Sequence, residues 1–298
     1  MNKNMDLRTK AFKVEPSLRR GVTLTRLKVL LQKPRVVLKN IKYIRYSPPS
    51  KEQHIFVLGP PRSGTTLMQR ILIGNSKVCG LNFESRFFFI RNYVNYSKSE
   101  VPLKQYKLYL KKVSTVCELF DEIAFFHKDQ TKTKFFLEKT PEHALRLKYL
   151  CKKYPNSKYI FMVRDCRDGL SSVRRNPNAK AHNVMSYAKL WNGSVEKYLN
   201  LPGGFENKVL LVRYEDLCRE KEKVLDKVLS FLNLEYQPEM INTSKISMSE
   251  VSKQEGHTRL KDEISDKTVG GWKKDLSEKD YDTLMRICGE NMKKLGYK

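Results

Sequence analysis

Long apolar runs, paired cysteines and acidic residues are all scarce in this sequence. No run approaches the roughly 18 apolar residues that span a bilayer, and no apolar signal-peptide core follows the N-terminus. Six cysteines are scattered without a C-x-x-C pair, which argues against a zinc site and against a disulfide framework. We therefore expect a protein of a reducing compartment, with no membrane-spanning helix and no bound metal.

The shortage of acidic residues leaves the chain strongly basic. Lysine and arginine total 58 against 32 aspartates and glutamates, a net charge of +26 over 298 residues. A field of this size attracts polyanions such as nucleic acid, an anionic membrane, an acidic glycan or a charged nucleotide, and it does not distinguish among them.

The positive charge is dense at the start of the chain. Residues 1–47 hold 13 lysines and arginines and two acids, interspersed with leucine and valine. Such a segment can lie on an anionic membrane face, or it can be a solvated arm with one helix packed on the domain. We predict an N-terminal extension and linker over 1–50 and a single domain over 51–298.

One stretch, 54–72, has the order strand, tight loop, helix. The apolar run Ile55–Leu58 has strand length, Gly59-Pro60-Pro61 ends it, and a helical period begins at Leu67. A loop of this kind aims backbone N–H groups into one concavity at a helix N-terminus, which favours a bound phosphate or sulfate over a plain turn.

The loop departs from the nucleotide-triphosphate pattern G-x-x-x-x-G-K-[ST] at one position. Gly59 and Gly64 have the required spacing, but Thr65 stands where that pattern has lysine. The one basic residue in the loop is Arg62. We therefore expect an anion site that works without the lysine and Mg²⁺ of ATP chemistry.

Further strand-like runs occur at 135–139, 159–163 and 209–212, separated by stretches of helical period. Helices are predicted over 104–126, 142–154, 220–232 and 277–295, with a loop over 127–134. This alternation predicts an α/β fold with a central parallel sheet flanked by helices, whose ligands bind at the strand tips. Lys139 lies at such a tip.

Two more stretches carry candidate site residues. Arg164 follows the 159–163 run and Ser172 lies eight residues on, so both can reach one phosphate; the alternative is an Arg–Asp cluster that only fixes the helix start.

Glu84 stands beside four phenylalanines. Apolar surroundings would raise its pKa toward that of a general base, unless Glu84 is simply exposed. The basic, glycine-containing loop 265–274 is either a lid or a plain surface loop.

Together these motifs resemble those of sulfotransferases, over about residues 54–297. Residues 61–68, PRSGTTLM, are similar to the family's 5′-phosphosulfate loop, and 163–172 to its 3′-phosphate motif. Residues 84–88, ESRFF, resemble the E-x-x-F-F element of heparan-type sulfotransferases, and 138–141, EKTP, their E-K-[ST]-P tip. The forms VRD and PRSGTTLM are closer to tyrosylprotein and bacterial sulfotransferases, and 213–217 and 269–273 also look like family elements.

The resemblance implies a P-loop-like sulfotransferase fold and transfer of a sulfuryl group from 3′-phosphoadenosine 5′-phosphosulfate (PAPS), leaving 3′-phosphoadenosine 5′-phosphate (PAP). It implies Glu84 as base, with Lys139 and Arg62 stabilising the leaving oxygen. Implied donor contacts are Arg62, Ser63, Gly64, Thr65, Thr66, Leu67, Arg164, Ser172, Tyr214, Lys267, Gly271 and Trp272. Cys166 replaces a proline or glycine, and no histidine stands beside Glu84, which disfavours the cytosolic small-molecule branch. His143 is the second candidate base.

The acceptor is the least determined feature. The E-x-x-F-F resemblance favours a carbohydrate hydroxyl on a glycan or glycolipid, and tyrosine, lipid and small-metabolite hydroxyls are the alternatives. Because Golgi sulfotransferases begin with an anchor helix, we predict a cytoplasmic enzyme, in peripheral contact with the inner membrane face if 1–47 binds lipid. The rival functions are a nucleotide kinase with a degenerate loop and a basic nucleic-acid-binding protein; we expect no specific nucleic-acid partner.

Overall fold

A five-stranded parallel sheet forms the centre of the protein. The computed structural model describes residues 48–89, 98–175, 183–241, 266 and 268–298. The sheet has the order β2-β3-β1-β4-β5, with every neighbouring pair parallel. The strands are β1 (His54–Leu58), β2 (Val78–Gly80), β3 (Phe135–Lys139), β4 (Lys158–Val163) and β5 (Val209–Arg213). The predicted α/β class with a parallel sheet is confirmed.

The helices cover both faces of this sheet. They are α1 (Thr65–Ile73), α2 (Leu103–Lys112), α3 (Val116–Thr131), α4 (Leu147–Lys153), α5 (Cys166–Arg174), α6 (Val184–Leu199), α7 (Tyr214–Arg219), α8 (Lys221–Leu232), α9 (Trp272–Asp275) and α10 (Glu278–Lys294). Short 3₁₀ turns occupy Pro141–Arg146, Glu206–Lys208 and Pro238–Met240.

Covering both faces explains why the strands are continuous apolar runs. Successive side chains of a strand point to opposite faces, so β1 sends Ile55 and Val57 to one core and Phe56 and Leu58 to the other. The first core lies under α1 and α8. The second, which is rich in aromatic rings, lies under α2, α3, α4, α6 and α10.

The predicted helix over 104–126 is wrong as one element. It divides at 113–115, where Thr115 caps α3: its Oγ1 accepts the Glu118 N–H at 3.2 Å, and the Glu118 carboxylate accepts the Thr115 N–H at 3.2 Å. This reciprocal cap starts a new helix, which runs on to Thr131 and so includes 127–131 of the predicted loop 127–134.

Other element boundaries also differ from the prediction. The helix expected over 142–154 begins as the Pro141–Arg146 3₁₀ turn and becomes α-helical only from Leu147. β2 was not predicted, because three residues carry too little periodicity. The helices α8 and α10 lie within a residue of their predicted bounds.

The strand order places a crevice beside β1. From β1 the chain crosses to β2 on one side, whereas from β4 it moves to β5 on the other. The loops that leave the carboxyl ends of β1 and β4 therefore diverge, and ligands of open α/β sheets bind between such loops. No helix in the described residues combines the length and apolarity needed to cross a membrane. Residues 1–47 lie outside the described part of the chain, so the predicted domain division remains a prediction.

Candidate active site

The loop after β1 is held in a shape that ordinary residues rarely adopt. Arg62 has a φ of 68° and Gly64 a φ of 87°, both in the left-handed region. The Ser63 hydroxyl is buried, 2.6 Å from the Pro60 carbonyl oxygen and 3.1 Å from that of Met162. The Ser63 side chain therefore fixes the loop against β4, so what remains of Ser63 for a ligand is its backbone N–H.

Helix α1 begins directly after this loop. Gly64 is its N-cap and supplies no side-chain cap, so the N–H groups of Thr65, Thr66 and Leu67 have no acceptor within the helix. A Cβ on Gly64 would lie 2.6 Å from Cδ2 of Tyr214, so the loop rests directly on the Tyr214 ring. Uncapped N–H groups at a helix start suit an anion.

Arginines converge beside the loop. Arg62 Nε donates to Ser172 Oγ at 3.1 Å, which joins the β1 loop to α5. Burial and the neighbouring charge of Arg164 both lower the pKa of Arg62, and Arg175 adds to the effect. Cations that destabilise one another in this way would be relieved by a bound anion.

Arg164, at the end of β4, is almost fully buried. Its Nη2 donates to the Thr268 carbonyl oxygen at 2.8 Å and to Thr268 Oγ1 at 3.2 Å, and its guanidinium lies 4.4 Å from the Tyr214 ring centroid. Its Nε is buried without a hydrogen-bond partner among the described residues. A buried, unpaired N–H on a cation is a site that a phosphate oxygen would satisfy.

The Arg–Asp cluster also exists, but it involves a different arginine. Asp165 caps α5 by accepting the Arg167 N–H at 2.8 Å, and its carboxylate pairs with the Arg167 guanidinium at 2.6 Å. Arg167 therefore fixes the helix start and leaves Arg164 directed to the crevice, and phosphate binding by Arg164 and Ser172 stays a prediction.

The loop before α9 is tied to α5 through Asp168. The two oxygens of this buried carboxylate accept the Gly270 N–H at 2.7 Å and the Trp272 N–H at 3.0 Å. The Trp272 ring stacks on Tyr281 and lies against the Arg167 guanidinium, and Gly271 forms the turn before α9. Lys267 lies outside the described residues.

Glu84 meets Lys139 on the other side of the loop. Lys139 Nζ lies 3.4 Å from Glu84 Oε1, and Arg86 Nη2 lies 3.2 Å from Glu84 Oε2. Lys139 is almost fully buried, whereas the Glu84 side chain is 32% exposed. The end of β3 thus places the Lys139 ammonium beside the candidate base.

The predicted rise in the pKa of Glu84 is wrong. Burial does raise this pKa, but the charges of Lys139 and Arg86 and their hydrogen bonds outweigh it, so the pKa lies below the ordinary value. Phe87 and Phe88 turn away into the aromatic core, with Phe88 4.9 Å from the Phe120 ring. The apolar mass near Glu84 in sequence is therefore not what surrounds its carboxylate.

His143, the second candidate base, does not face the crevice. It is fully buried, with Nδ1 2.8 Å from Glu138 Oε2 and Nε2 3.4 Å from the Phe88 nitrogen. Both ring nitrogens are engaged, so His143 is not available to an acceptor hydroxyl.

Comparison with known proteins identifies this arrangement. A family model described as the sulfotransferase family matches residues 54–238, which include the β1 loop, Glu84, Lys139, Arg164 and Ser172. The chain belongs to the sulfotransferase family. The enzyme class that the sequence motifs predicted is therefore confirmed.

Curated relatives of this sulfotransferase carry protein-tyrosine sulfotransferase names. A Caenorhabditis briggsae protein, provisionally so named, is 27% identical over 79% of this chain and 85% of its own length. Protein-tyrosine sulfotransferase 1 of Danio rerio is 27% identical over 64% of this chain, which spans only 56% of the length of that relative.

Two solved structures share the fold. The sulfotransferase domain of the curacin biosynthetic pathway has a TM-score of 0.62 at 20% identity, over 84% of this chain and 99% of its own. The sulfotransferase domain of the Synechococcus PCC 7002 olefin synthase has a TM-score of 0.65 at 18% identity, over 85% and 97%. At these identities the likeness establishes the fold alone.

Several residues of the site in this sulfotransferase were not predicted. Asp168 lies between Arg164 and Ser172, and its spacing of one helical turn from Arg164 was the available signal. Glu138 was noted only as part of the EKTP element and Thr268 gave no usable signal, because the contacts of both residues join segments far apart in the chain.

Proposed function

We propose that this sulfotransferase moves the sulfuryl group of PAPS to the phenolic hydroxyl of a protein tyrosine. The observation that carries the proposal is the meeting of three charges at the carboxyl ends of β1 and β3. Lys139 Nζ lies 3.4 Å from Glu84, and the charge of Glu84 in turn acts on half-buried Arg62 in the phosphate loop. A base can take the proton of an acceptor hydroxyl, and a buried ammonium and a guanidinium can stabilise the charge that develops as a sulfuryl group is transferred.

The donor would lie across the crevice. The loop and helix start would hold its 5′-phosphosulfate through Arg62 and the backbone N–H groups of 63–67. Arg164 and Ser172 would hold its 3′-phosphate; the supporting observation is that Arg164 Nε has no hydrogen-bond partner in the described part of the chain. Tyr214, Lys267, Gly271 and Trp272 remain predicted contacts of the nucleotide. Among these four, Tyr214 has the strongest structural support, because its ring lies under Arg164 and against Gly64.

The chemistry divides among the three charged residues. Bound PAPS supplies a sulfuryl group whose bond to the bridging oxygen breaks as the acceptor oxygen bonds to sulfur. Glu84 takes the proton of the acceptor hydroxyl. Lys139 and Arg62 stabilise the negative charge that develops on the bridging oxygen, at positions fixed before the reaction.

The Lys139–Glu84 pair also links donor binding to base strength. Two cations now hold the Glu84 pKa below its ordinary value, which makes its carboxylate a weak base. The negative charge of a donor bound beside the Lys139 ammonium offsets one of them without moving it. The Glu84 pKa then rises, and the carboxylate becomes a stronger base at the moment when the donor is in place.

A tyrosine acceptor is favoured over the carbohydrate predicted from the E-x-x-F-F element. In this chain Phe87 and Phe88 are buried in the core, so the two phenylalanines of that element are not placed to select a sugar acceptor. The curated relatives are named for protein tyrosine, which supports a phenolic hydroxyl. The cytoplasmic location stays a prediction.

The acceptor is tested with donor carrying labelled sulfate and a panel of hydroxyl compounds. Label should enter a tyrosine peptide, but not the same peptide with phenylalanine or serine at that position. Transfer should survive a metal chelator. Label in an oligosaccharide but not in the tyrosine peptide would restore the carbohydrate prediction. Titration calorimetry addresses the rivals: tight MgATP binding without PAP binding would favour a kinase, and DNA binding without PAP binding a nucleic-acid function.

Glu84→Gln tests the base directly. A general base acts on the chemical step, so kcat should fall by about 10² to 10⁴ while PAP affinity stays near that of the wild type. Part of the lost rate should return as pH rises, because a more basic medium deprotonates the acceptor. Glu290→Gln, an exposed carboxylate on α10, is the matched control. If Glu84→Gln kept more than half of the wild-type turnover, Glu84 would not be the base.

A further inference from the structure

A second carboxylate lies directly before Lys139 and faces the opposite way. Alternation along β3 sends Lys139 to the crevice and Glu138 to the aromatic core, where Glu138 is 1% exposed. Glu138 Oε1 accepts from Ser85 Oγ at 2.6 Å and from Thr140 Oγ1 at 2.7 Å, and Oε2 lies 2.8 Å from His143 Nδ1. A buried carboxylate is thus fully surrounded by donors.

These three donors also hold the backbone turn that follows Glu84. Ser85 Oγ accepts the Phe87 N–H at 3.1 Å, and Thr140 Oγ1 accepts the Arg86 N–H at 3.1 Å. His143 Nε2 lies 3.4 Å from the Phe88 nitrogen, so it accepts that N–H while Nδ1 donates to Glu138. Three consecutive backbone amides, 86 to 88, therefore rest on groups that one carboxylate orients.

The turn needs such support. Arg86 has a φ of 51°, a left-handed conformation that is unfavourable for a residue with a side chain. The same turn carries Glu84 to Lys139 and brings Arg86 to the other oxygen of Glu84. Burial raises the pKa of Glu138, but the His143 partner and the hydroxyl donors hold it below the ordinary value. The Glu138 carboxyl is therefore ionised at neutral pH and can accept hydrogen bonds from these donors.

We propose that Glu138 is a positioning residue that, through Ser85, Thr140 and His143, fixes the 84–88 turn and so places the Glu84 carboxylate against Lys139. The proposal rests on the assignment of Glu84 as base in the proposed function. It assigns Glu138 no contact with donor or acceptor. Consecutive residues of one strand thus serve the reaction from two faces of the sheet, Lys139 at the reacting atoms and Glu138 behind them.

Ser85→Ala is the mildest test, since it removes one hydroxyl from the Glu138 cluster and leaves the packing of the core intact. We expect kcat with the true acceptor to fall about 10-fold to 100-fold, because misplacing a base by a fraction of an ångström costs that much. PAP affinity should stay within about twofold, since the donor residues lie on other elements. Ser157→Ala is the matched control. The Ser157 hydroxyl is equally buried and accepts the His54 N–H at 2.9 Å, at the opposite end of the sheet.

The decisive readout is a double-mutant cycle. If Ser85 acts through Glu84, then Ser85→Ala should cost less than about threefold in a Glu84→Gln background, where no base remains to be positioned. An equal fall in kcat in both backgrounds, or a fall no greater than that of Ser157→Ala, would overturn the proposal. Glu84→Gln with normal turnover would instead overturn the base assignment in the proposed function.

Glu138→Gln gives a readout that needs no turnover. It places an amide N–H₂ among groups that all donate, so the turn should loosen. Amide hydrogen exchange in a peptide covering 84–89 should become at least about tenfold faster than in Ser157→Ala, while peptides from β5 keep their protection. Unchanged protection over 84–89 in a folded Glu138→Gln protein would contradict the positioning role. This result stands whether or not the wild type sulfates the acceptors tested.

Discussion

Arg164 and Ser172 contribute to the site through different chemistry, although they come from one motif. Arg164 offers a buried N–H on a permanent charge, without a partner among the described residues, whereas Ser172 already accepts a hydrogen bond from Arg62 and has only its hydroxyl proton to give. Charge-assisted hydrogen bonds are about twice as strong as neutral ones.

Arg164→Ala should therefore weaken PAP binding more than Ser172→Ala does. We expect a loss of about 2 kcal/mol for the arginine and about 1 kcal/mol for the serine, measured by titration calorimetry. Arg286→Ala removes an exposed arginine of α10 and should leave the affinity unchanged. Were the serine variant the weaker binder, the assigned roles would have to be exchanged.

At the scale of single residues, sequence reasoning found the charged groups but not their surroundings. Arg62 lies close enough to Arg164 and Glu84 to feel their charges, and Glu84 pairs with Lys139, while their roles in the reaction stay predictions. The direction of the Glu84 pKa was wrong, because the phenylalanines beside it in sequence turn into the core while Lys139 arrives from β3. Spacing along the chain carries no information about such a neighbour.

At the scale of elements, α5 organises both sides of the predicted nucleotide site. Its Ser172 meets the β1 loop, and its Asp168 holds the loop before α9 through two backbone N–H groups. That loop supplies the Thr268 oxygens that now accept from Arg164.

Asp168→Asn should release the loop before α9. The amide can accept one of the two N–H groups but presents an N–H₂ to the other, which is unfavourable in a buried site. We expect limited trypsin digestion at Lys273 and Lys274 to accelerate. PAP affinity should fall about tenfold, because Arg164 would no longer be held by the Thr268 oxygens of this loop. Asp129→Asn, at an exposed carboxylate of α3, is the control. Wild-type digestion rates in Asp168→Asn would show that other contacts hold the loop.

The junction of α10 with α5 gives a prediction for stability. Arg174 makes two hydrogen bonds to Asp280, at 2.6 and 2.8 Å, and Ser277 adds another; these bonds, together with the charge of Arg174, outweigh burial and lower the pKa of Asp280 to about 2. A lowered pKa stabilises the fold above the unfolded-state pKa, near 3.8, and the contribution is lost as pH falls toward 2.

Asp280→Asn should therefore lower the free energy of unfolding by about 2 kcal/mol at neutral pH. The difference from wild type should shrink between pH 4 and pH 2, as followed by urea denaturation at each pH. Asp282→Asn, two residues along α10 and exposed, should change stability little. A difference that stays constant down to pH 2 would mean that the ion pair is not its source.

Elements of strong periodicity were predicted well, and short or capped ones were not. The strands β1, β3, β4 and β5 and the helices α8 and α10 follow from apolar period alone. The division between α2 and α3 depends on the Thr115 cap, a local hydrogen-bond exchange that outweighs an uninterrupted apolar pattern. β2 forms because β3 offers it a free edge, which is a property of the sheet and not of three residues.

At the scale of the whole molecule, the chain carries more positive charge than an anion site in the crevice would need. Thirteen of the 58 basic residues lie in 1–47, outside the described residues. Deleting 1–47 should leave PAP affinity unchanged while reducing salt-sensitive binding to vesicles containing anionic lipid. Vesicles of neutral lipid are the control. A deletion variant that fails to fold would show that the segment is part of the core.

The alternation along β3 makes the length of that strand a constraint on evolution of the enzyme. One inserted or deleted residue before Glu138 would rotate every later side chain by half a turn, exposing the carboxylate to the crevice and burying the ammonium among aromatic rings. The Glu138 carboxylate would then lack its hydrogen-bond donors, and the Lys139 ammonium would lack contact with water. Length changes in this chain should therefore accumulate in the connections between elements. β3 should tolerate substitution of its apolar residues far more readily than the insertion or deletion of one residue.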